Sequence, residues 1–121
     1  MADKNFKEAT FGLKENVAGA LSYILGFITG IIFYVSEDEN TFVRFHAMQS
    51  ILVSGTLFVL SIVSTFFWRV PMLGFLVWLV NGFIQLAGFI LIIFLIVKAF
   101  QGERYSAPIF GKKAEEYSRK K

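Results

Sequence analysis

Three uninterrupted apolar stretches set the pattern of the chain, divided by two short polar breaks and flanked by charged ends. No charge occurs from Val17 to Val35, and at about 1.5 Å per residue a helix over this run reaches roughly 28 Å, close to the hydrocarbon thickness of a bilayer. The first break, Ser36 to Asn40, is acidic through Glu37, Asp38 and Glu39. Ser36 to Glu39 has the spacing of a capping box, and Asn40 is an equally good N-cap. A second helix is therefore predicted from about Thr41 to Trp68. It ends at Arg69, Val70 and Pro71, because proline donates no backbone hydrogen bond and disfavours a helical residue before it. The third run extends to Phe100, where Lys98 suits the negative end of a helix dipole and Gly102 suits the C′ position.

Length decides the number of crossings. Two passes within the third run would need about 35–40 residues and a turn, more than it has. The expected fold is all-α, a polytopic membrane bundle with three transmembrane helices at about 17–35, 41–68 and 73–100. Residues 1–16 form an N-terminal interfacial segment and 101–121 a basic C-terminal tail in which Tyr105, Pro108, Ile109 and Phe110 suit the interface. Asn81-Gly82 leaves open four helices or a re-entrant third segment.

Each run has a distinctive face. Ala18, Gly19, Ser22, Gly26 and Gly30 form a ridge of small side chains on helix one, with Thr29 beside it, which lets another backbone approach closely. This chain's own helices or a second copy are the candidate partners. On helix two, His46, Gln49, Ser50, Ser54, Ser61, Ser64 and Thr65 gather on one side. Phe45, Leu52, Val59, Ile62 and Phe66 take the opposite side, which is expected to face lipid. Arg44 falls roughly opposite His46 and is expected to snorkel to lipid phosphate or pair with Glu37, Asp38 or Glu39. Gly74, Trp78, Asn81, Gln85 and Gly88 share a face of helix three that should point at protein. If helices two and three form an antiparallel hairpin about Val70, Gln85 lies near Gly55 and Ser54, and Asn81 near Val59.

Composition agrees with the membrane class: 55% of residues are hydrophobic, fifteen are Phe, and the mean hydropathy is +0.60. The first run is too long for a signal-peptide core and lacks a small-residue cleavage pattern, so it is expected to be retained. The formal charge of +3 is concentrated in the tail. With three crossings, the positive-inside rule puts the C-terminus in the cytoplasm of a multi-pass cell-membrane protein and the N-terminus outside. An even number of crossings would put both termini inside.

Candidate chemistry is sparse. With no Cys and one His, neither a disulfide framework nor a zinc or iron site is expected, and no cofactor. His46, Gln49 and Ser50 stand at i, i+3, i+4, a spacing fit for a proton relay, head-group contact or packing. A Ser–His hydrolase lacks the carboxylate that would orient its base, so no enzyme is expected. The candidate polar cluster is Arg44, His46, Gln49, Ser50, Ser54, Asn81 and Gln85. The bilayer is the expected partner, together with a homo-oligomer or membrane complex. Nucleic acid is not expected, because no stacking aromatics accompany the basic tail.

Asn16 to Tyr23, Gly26-Phe27-Ile28-Thr29-Gly30, Phe42 to Ser50 and Ala99-Phe100-Gln101-Gly102-Glu103 together resemble a family of small, uncharacterised prokaryotic multipass membrane proteins. The string Arg44-Phe45-His46-Ala47-Met48-Gln49-Ser50 is the most specific part. That family is similar, distantly, to the twenty-kilodalton-class membrane subunit of the chloroplast inner-envelope import translocon. The resemblance implies a four-helix subunit with both termini on one side. The expected function is a scaffold or translocon-like subunit associating through the ridge of helix one. The alternatives are a small-solute or ion permease with a path along His46, Gln49, Ser50, Ser54, Asn81 and Gln85, and a lipid-modifying enzyme using His46.

Overall fold

A computed structural model describes residues 6–107 and 110–119. Its helices are α1 (Glu15–Leu21), α2 (Phe27–Ser36), α3 (Thr41–Thr65), α4 (Pro71–Phe100) and α5 (Gly111–Ser118), and no strand occurs among the described residues. The all-α expectation is met, and α3 with its 3-10 extension Phe66–Arg69 and α4 are each long and apolar enough to cross a membrane. At 29 and 30 residues they measure about 43–45 Å, longer than a bilayer core of about 30 Å, so their ends reach the interface.

The first apolar run departs from expectation. It is not one spanning helix but two short ones, α1 and α2, joined by a turn at Gly26 with φ +64°, a left-handed conformation natural only to glycine. The contacts of the two helices show that the chain goes in and comes back. Along α1, a methyl group at Gly19 would meet Phe42 and His46, Tyr23 reaches His46 and Gln49, and Gly26 lies against Ser54, so α1 runs alongside α3 in the same direction. Along α2 the order reverses: Phe27 stacks near Phe58, Gly30 packs on Ala47 and Ser50, and Tyr34 lies over Arg44. The start of α1 and the loop after α2 then meet again, Asn40 Nδ2 donating to Glu15 at 2.9 Å and Thr10 N–H to Glu37 at 2.7 Å. The run is a re-entrant hairpin covering the first half of α3.

Such a break is tolerable at membrane depth only if its freed backbone groups find partners inside the protein. They do. Ser22 Oγ donates to Gly19 O, Thr29 Oγ1 donates to Ser22 O and accepts from Leu25 N–H, and Ser50 Oγ donates to Gly26 O at 2.9 Å. The small-residue ridge is thereby covered by the chain's own α3 and α4: Gly19 faces Phe42 and Ala99, and Gly30 faces the Ala47 carbonyl. It is not an open surface for a partner.

The number of long apolar helices changes with it. Two long helices replace three, and the ends of the described chain, at Phe6 and Arg119, lie with the loop Glu37–Asn40 at one end of the bundle. The turn at Arg69 is at the other. The N-terminal segment is a turn, with a 3-10 step at Thr10–Gly12 and a bridge between Glu8 and Lys14, whose Phe11 ring meets Phe33 edge-on. The tail is not a solvated end, since α5 buries Gly111, Ala114 and Ser118, largely against α3. Pro108 and Ile109 lie outside the described residues.

α4 runs unbroken through Asn81-Gly82 and ends in a Schellman motif. Gly102 at φ +83° donates to Ala99 O, and Glu103 N–H donates to Lys98 O. The α3–α4 hairpin is shifted relative to a fold about Val70: Gln85 Nε2 donates to Leu57 O at 2.7 Å and to Ser61 Oγ at 2.9 Å, not to the level of Ser54 and Gly55. The 3-10 turn consumes residues 66–69 before Pro71 opens α4, moving the hairpin's centre toward the C-terminus. Gly74 and Gly88 are buried in this seam as expected, whereas Trp78 is exposed.

Single cysteines test the arrangement without interference from native thiols. A membrane-impermeant maleimide should label Lys7→Cys, Glu39→Cys and Arg119→Cys from one side of the membrane and Arg69→Cys from the other. Labelling of Lys7→Cys and Arg119→Cys from opposite sides would contradict the fold.

Candidate functional site

The polar cluster forms where α1, α2 and the chain after α4 all converge on the first two turns of α3. Asn40 begins that helix, its Oδ1 accepting from the N–H groups of Phe42 and Val43 at 3.0 and 3.2 Å. Glu37 shapes the preceding loop, its carboxylate accepting from the N–H groups of Thr10, Glu39 and Asn40. The capping box therefore gives way to Asn40, and Glu37 serves as a loop organiser.

Arg44 does not snorkel outward. It is buried, donating to Glu37 O at 2.7 Å, Tyr34 O at 2.9 Å and Ser118 O at 3.1 Å, with its guanidinium 4.1 Å from the Tyr34 ring centre. Those carbonyls close the C-terminal ends of α2 and α5, where orphan acceptors and the negative dipole end favour a cation. Asn16 does the same for α4, donating to Phe100 O at 2.9 Å.

His46 and Gln49 complete the cluster with Tyr23, and every proton in it can be assigned. The Glu103 carbonyl, 2.8 Å from His46 Nε2, can only accept, so Nε2 carries the hydrogen. Gln49 Nε2 donates both to Tyr105 O and to the Tyr23 hydroxyl, each at 2.9 Å. Tyr23 is left to donate its own proton to His46 Nδ1 at 2.8 Å, which requires a neutral imidazole. Gln49 Oε1 accepts from Ala107 N–H at 2.7 Å. Rings of Phe42 and Phe45 close over the imidazole edge-on at 4.7 and 5.1 Å, and His46 has no exposed surface. Phe45 is thus interior rather than lipid-facing, because α5 and the segment after α4 lie on that side of α3.

The cluster is a latch. Its side chains hold the backbone of Glu103, Tyr105 and Ala107, a strap leading from α4 to α5. Ser50 bonds the re-entrant turn and Ser54 bonds Ser50 O, whereas Asn81 and Gln85 lie farther along the α3–α4 seam, bonded to each other and to Leu57 and Ser61. The predicted set thus falls into two groups, one of latch and turn residues, the other of seam residues. Tyr23 and Asn16 lie outside the predicted cluster, and Glu37, expected as a capping-loop residue or an ion-pair partner of Arg44, bonds loop N–H groups instead. A tyrosine inside an apolar run was the available signal, since its hydroxyl needs a partner when buried. Among the described residues no group of three or more His, Asp or Glu is arranged to hold a metal ion, and no buried side-chain polar atom lacks a partner.

This architecture can be set beside known proteins. A sequence profile of the magnetosome magnetite crystal formation protein family matches residues 9–113, from the N-terminal turn through the latch and strap into α5. The chain belongs to that family. A UPF0132 membrane protein of Methanocaldococcus jannaschii is 47% identical over 111 residues, covering 92% of this chain and 94% of the relative. A second from that organism is 41% identical over 89% of this chain and 73% of its own. A UPF0132 membrane protein of Archaeoglobus fulgidus is 44% identical over 104 residues, 86% of this chain and 95% of the relative. No solved structure matches. The family is one of prokaryotic membrane proteins, and the membrane assignment holds for this chain.

Removing the Tyr23 hydroxyl should leave His46 Nδ1 without a donor and one Gln49 N–H without an acceptor. Tyr23→Phe is expected to destabilise the fold by about 1–3 kcal/mol, and Gln49→Leu, which strands the strap backbone as well, by more. Thermal unfolding in detergent, with proteolysis across residues 103–107, measures both. Unchanged stability in Gln49→Leu would refute the latch.

Proposed function

We propose that the protein is a non-catalytic membrane scaffold, a small subunit whose polar residues hold a re-entrant fold together and whose apolar hairpin engages the bilayer and other membrane components. The observation that supports this reading most is the hydrogen-bond pattern of His46 and Gln49: both are enclosed, and each polar atom is committed to Tyr23 or to the strap backbone. A residue so placed does not meet a substrate. The family description ties the family to magnetosome magnetite crystal formation. Only the role of a membrane-resident structural component is carried from it to this chain. A translocon-like subunit is the narrower form of the same reading; that resemblance implies both termini on one side, and the two ends of the described chain lie at one end of a bundle of five α-helices.

The described cations Lys7, Lys14, Arg44, Lys98, Arg104, Lys112, Lys113 and Arg119 belong to the latch end of the bundle and Arg69 to the tip. By the positive-inside rule, the latch end, which carries both ends of the described chain, faces the cytoplasm.

One observation favours a permease instead. The N-terminus of α2 ends within the bundle beside a groove bearing Ser54, Ser61 and Gln85, and interrupted helices with ends near the midplane build substrate sites in many transporters. Flux separates the two. Proteoliposomes containing the protein should pass small ions and solutes no faster than protein-free liposomes. A flux that is abolished by Gln85→Leu would replace the scaffold with the permease.

A further inference from the structure

The re-entrant hairpin reaches Ser54 through Gly26 and Phe58 through Phe27, and beyond that level the α3–α4 pair has one side uncovered. A shallow groove of about 570 Å³ opens there, lined by Phe58, Ser61, Gln85 and Phe89 and bounded by the re-entrant turn at Gly26 and Phe27. Gln85 Nε2 is engaged by Leu57 O, Ser61 Oγ and, at 3.4 Å, Asn81 Oδ1. Its Oε1 has no donor among the described residues, and the Ser61 hydroxyl, which accepts from Gln85, has no acceptor for its own hydrogen. An orphan acceptor on Gln85 and an orphan donor on Ser61 therefore stand side by side, with Asn81 Nδ2 a further donor next to them, within two long apolar helices where water is scarce.

We infer that this groove is the contact between two copies of the chain, related by a two-fold axis along the membrane normal. Such an axis keeps every residue at the depth of its counterpart, and Ser61 and Gln85, 2.9 Å apart, already share one depth. The Ser61 hydroxyl of each copy then donates to Gln85 Oε1 of the other, so both orphans are satisfied by one self-complementary pairing. The exposed Phe58 and Phe89, at 52% and 61%, supply the packing around it. Association thus passes through the Ser61–Gln85 groove and not through the small-residue ridge, which the chain covers itself. The inference rests on the scaffold reading and names its partner.

Cysteine cross-linking in native membranes tests it. Phe89→Cys, at the groove wall, should give a cross-linked dimer with a short thiol reagent, and Phe83→Cys, exposed on another face of α4, should not. Adding Ser61→Ala to Phe89→Cys should lower the dimer fraction by roughly an order of magnitude, because the two-fold removes two interhelical hydrogen bonds at once. Gln85 keeps its bond to Leu57 O in that variant, and an unchanged monomer melting curve in detergent verifies that the fold survives. Equal cross-linking at both positions, a dimer fraction insensitive to Ser61→Ala, or monomers with a hydroxylated lipid copurifying in the groove would each overturn the pairing. None of these outcomes alters the flux measurement on which the scaffold reading depends.

Discussion

A backbone polar group at membrane depth must be hydrogen-bonded by the protein, because lipid offers nothing in return. A chain that crossed as unbroken helices would meet this demand within each helix. This chain breaks its first apolar run at Ser22–Gly26 and adds a strap and a fifth helix after α4, so it creates helix ends that need partners. Its buried polar side chains answer to those ends. Arg44 closes α2 and α5, Asn16 closes α4, Ser50 and Thr29 serve the re-entrant turn, and His46 and Gln49 bind the strap. The polarity of the Phe42–Ser50 stretch follows from the topology around it.

The same constraint gives the molecule two unlike halves. Around the start of α3, five segments pack together and even a histidine and a glutamine are fully enclosed. Beyond Ser54 only α3 and α4 remain, with large side chains such as Phe58, Phe66, Met72 and Phe83 exposed as lipid-facing residues should be. Trp68 and Trp78 near the tip suit the opposite interface. Polar residues in a membrane segment are ordinarily read as functional. In this fold the enclosed ones are hydrogen-bonded within the protein, whereas Ser61, Asn81 and Gln85 in the α3–α4 seam keep unfilled hydrogen-bonding capacity.

Much of this was legible in the sequence. The all-α membrane class, the long helices α3 and α4, the stop at Pro71, Gly102 at C′ and the inward face of Gly74, Gln85 and Gly88 follow from hydropathy, proline and glycine chemistry, and helical periodicity. The re-entrant turn was not legible, because a run of about nineteen apolar residues has the length of a crossing and gives no warning of a break. Gly26 is part of the small-residue ridge and equally the hinge, and only its positive φ tells the two apart. Phe45 looked lipid-facing because periodicity on one helix cannot foresee a later segment folding back over it. The roles of Tyr23 and Arg44 depend on backbone carbonyls 7 to 74 residues away or on side chains across the bundle, which have no sequence signature.

The fold requires the first apolar run to return to the side from which it enters. Spin labels at Lys14→Cys and Glu39→Cys, both exposed positions flanking that run, report this in lipid nanodiscs through a single electron–electron distance. The re-entrant hairpin predicts a short separation, since Glu15 and Asn40 are hydrogen-bonded to each other at 2.9 Å. A separation of about 30 Å or more, the span of a bilayer core, would mean that the run crosses the membrane and would contradict the fold described here.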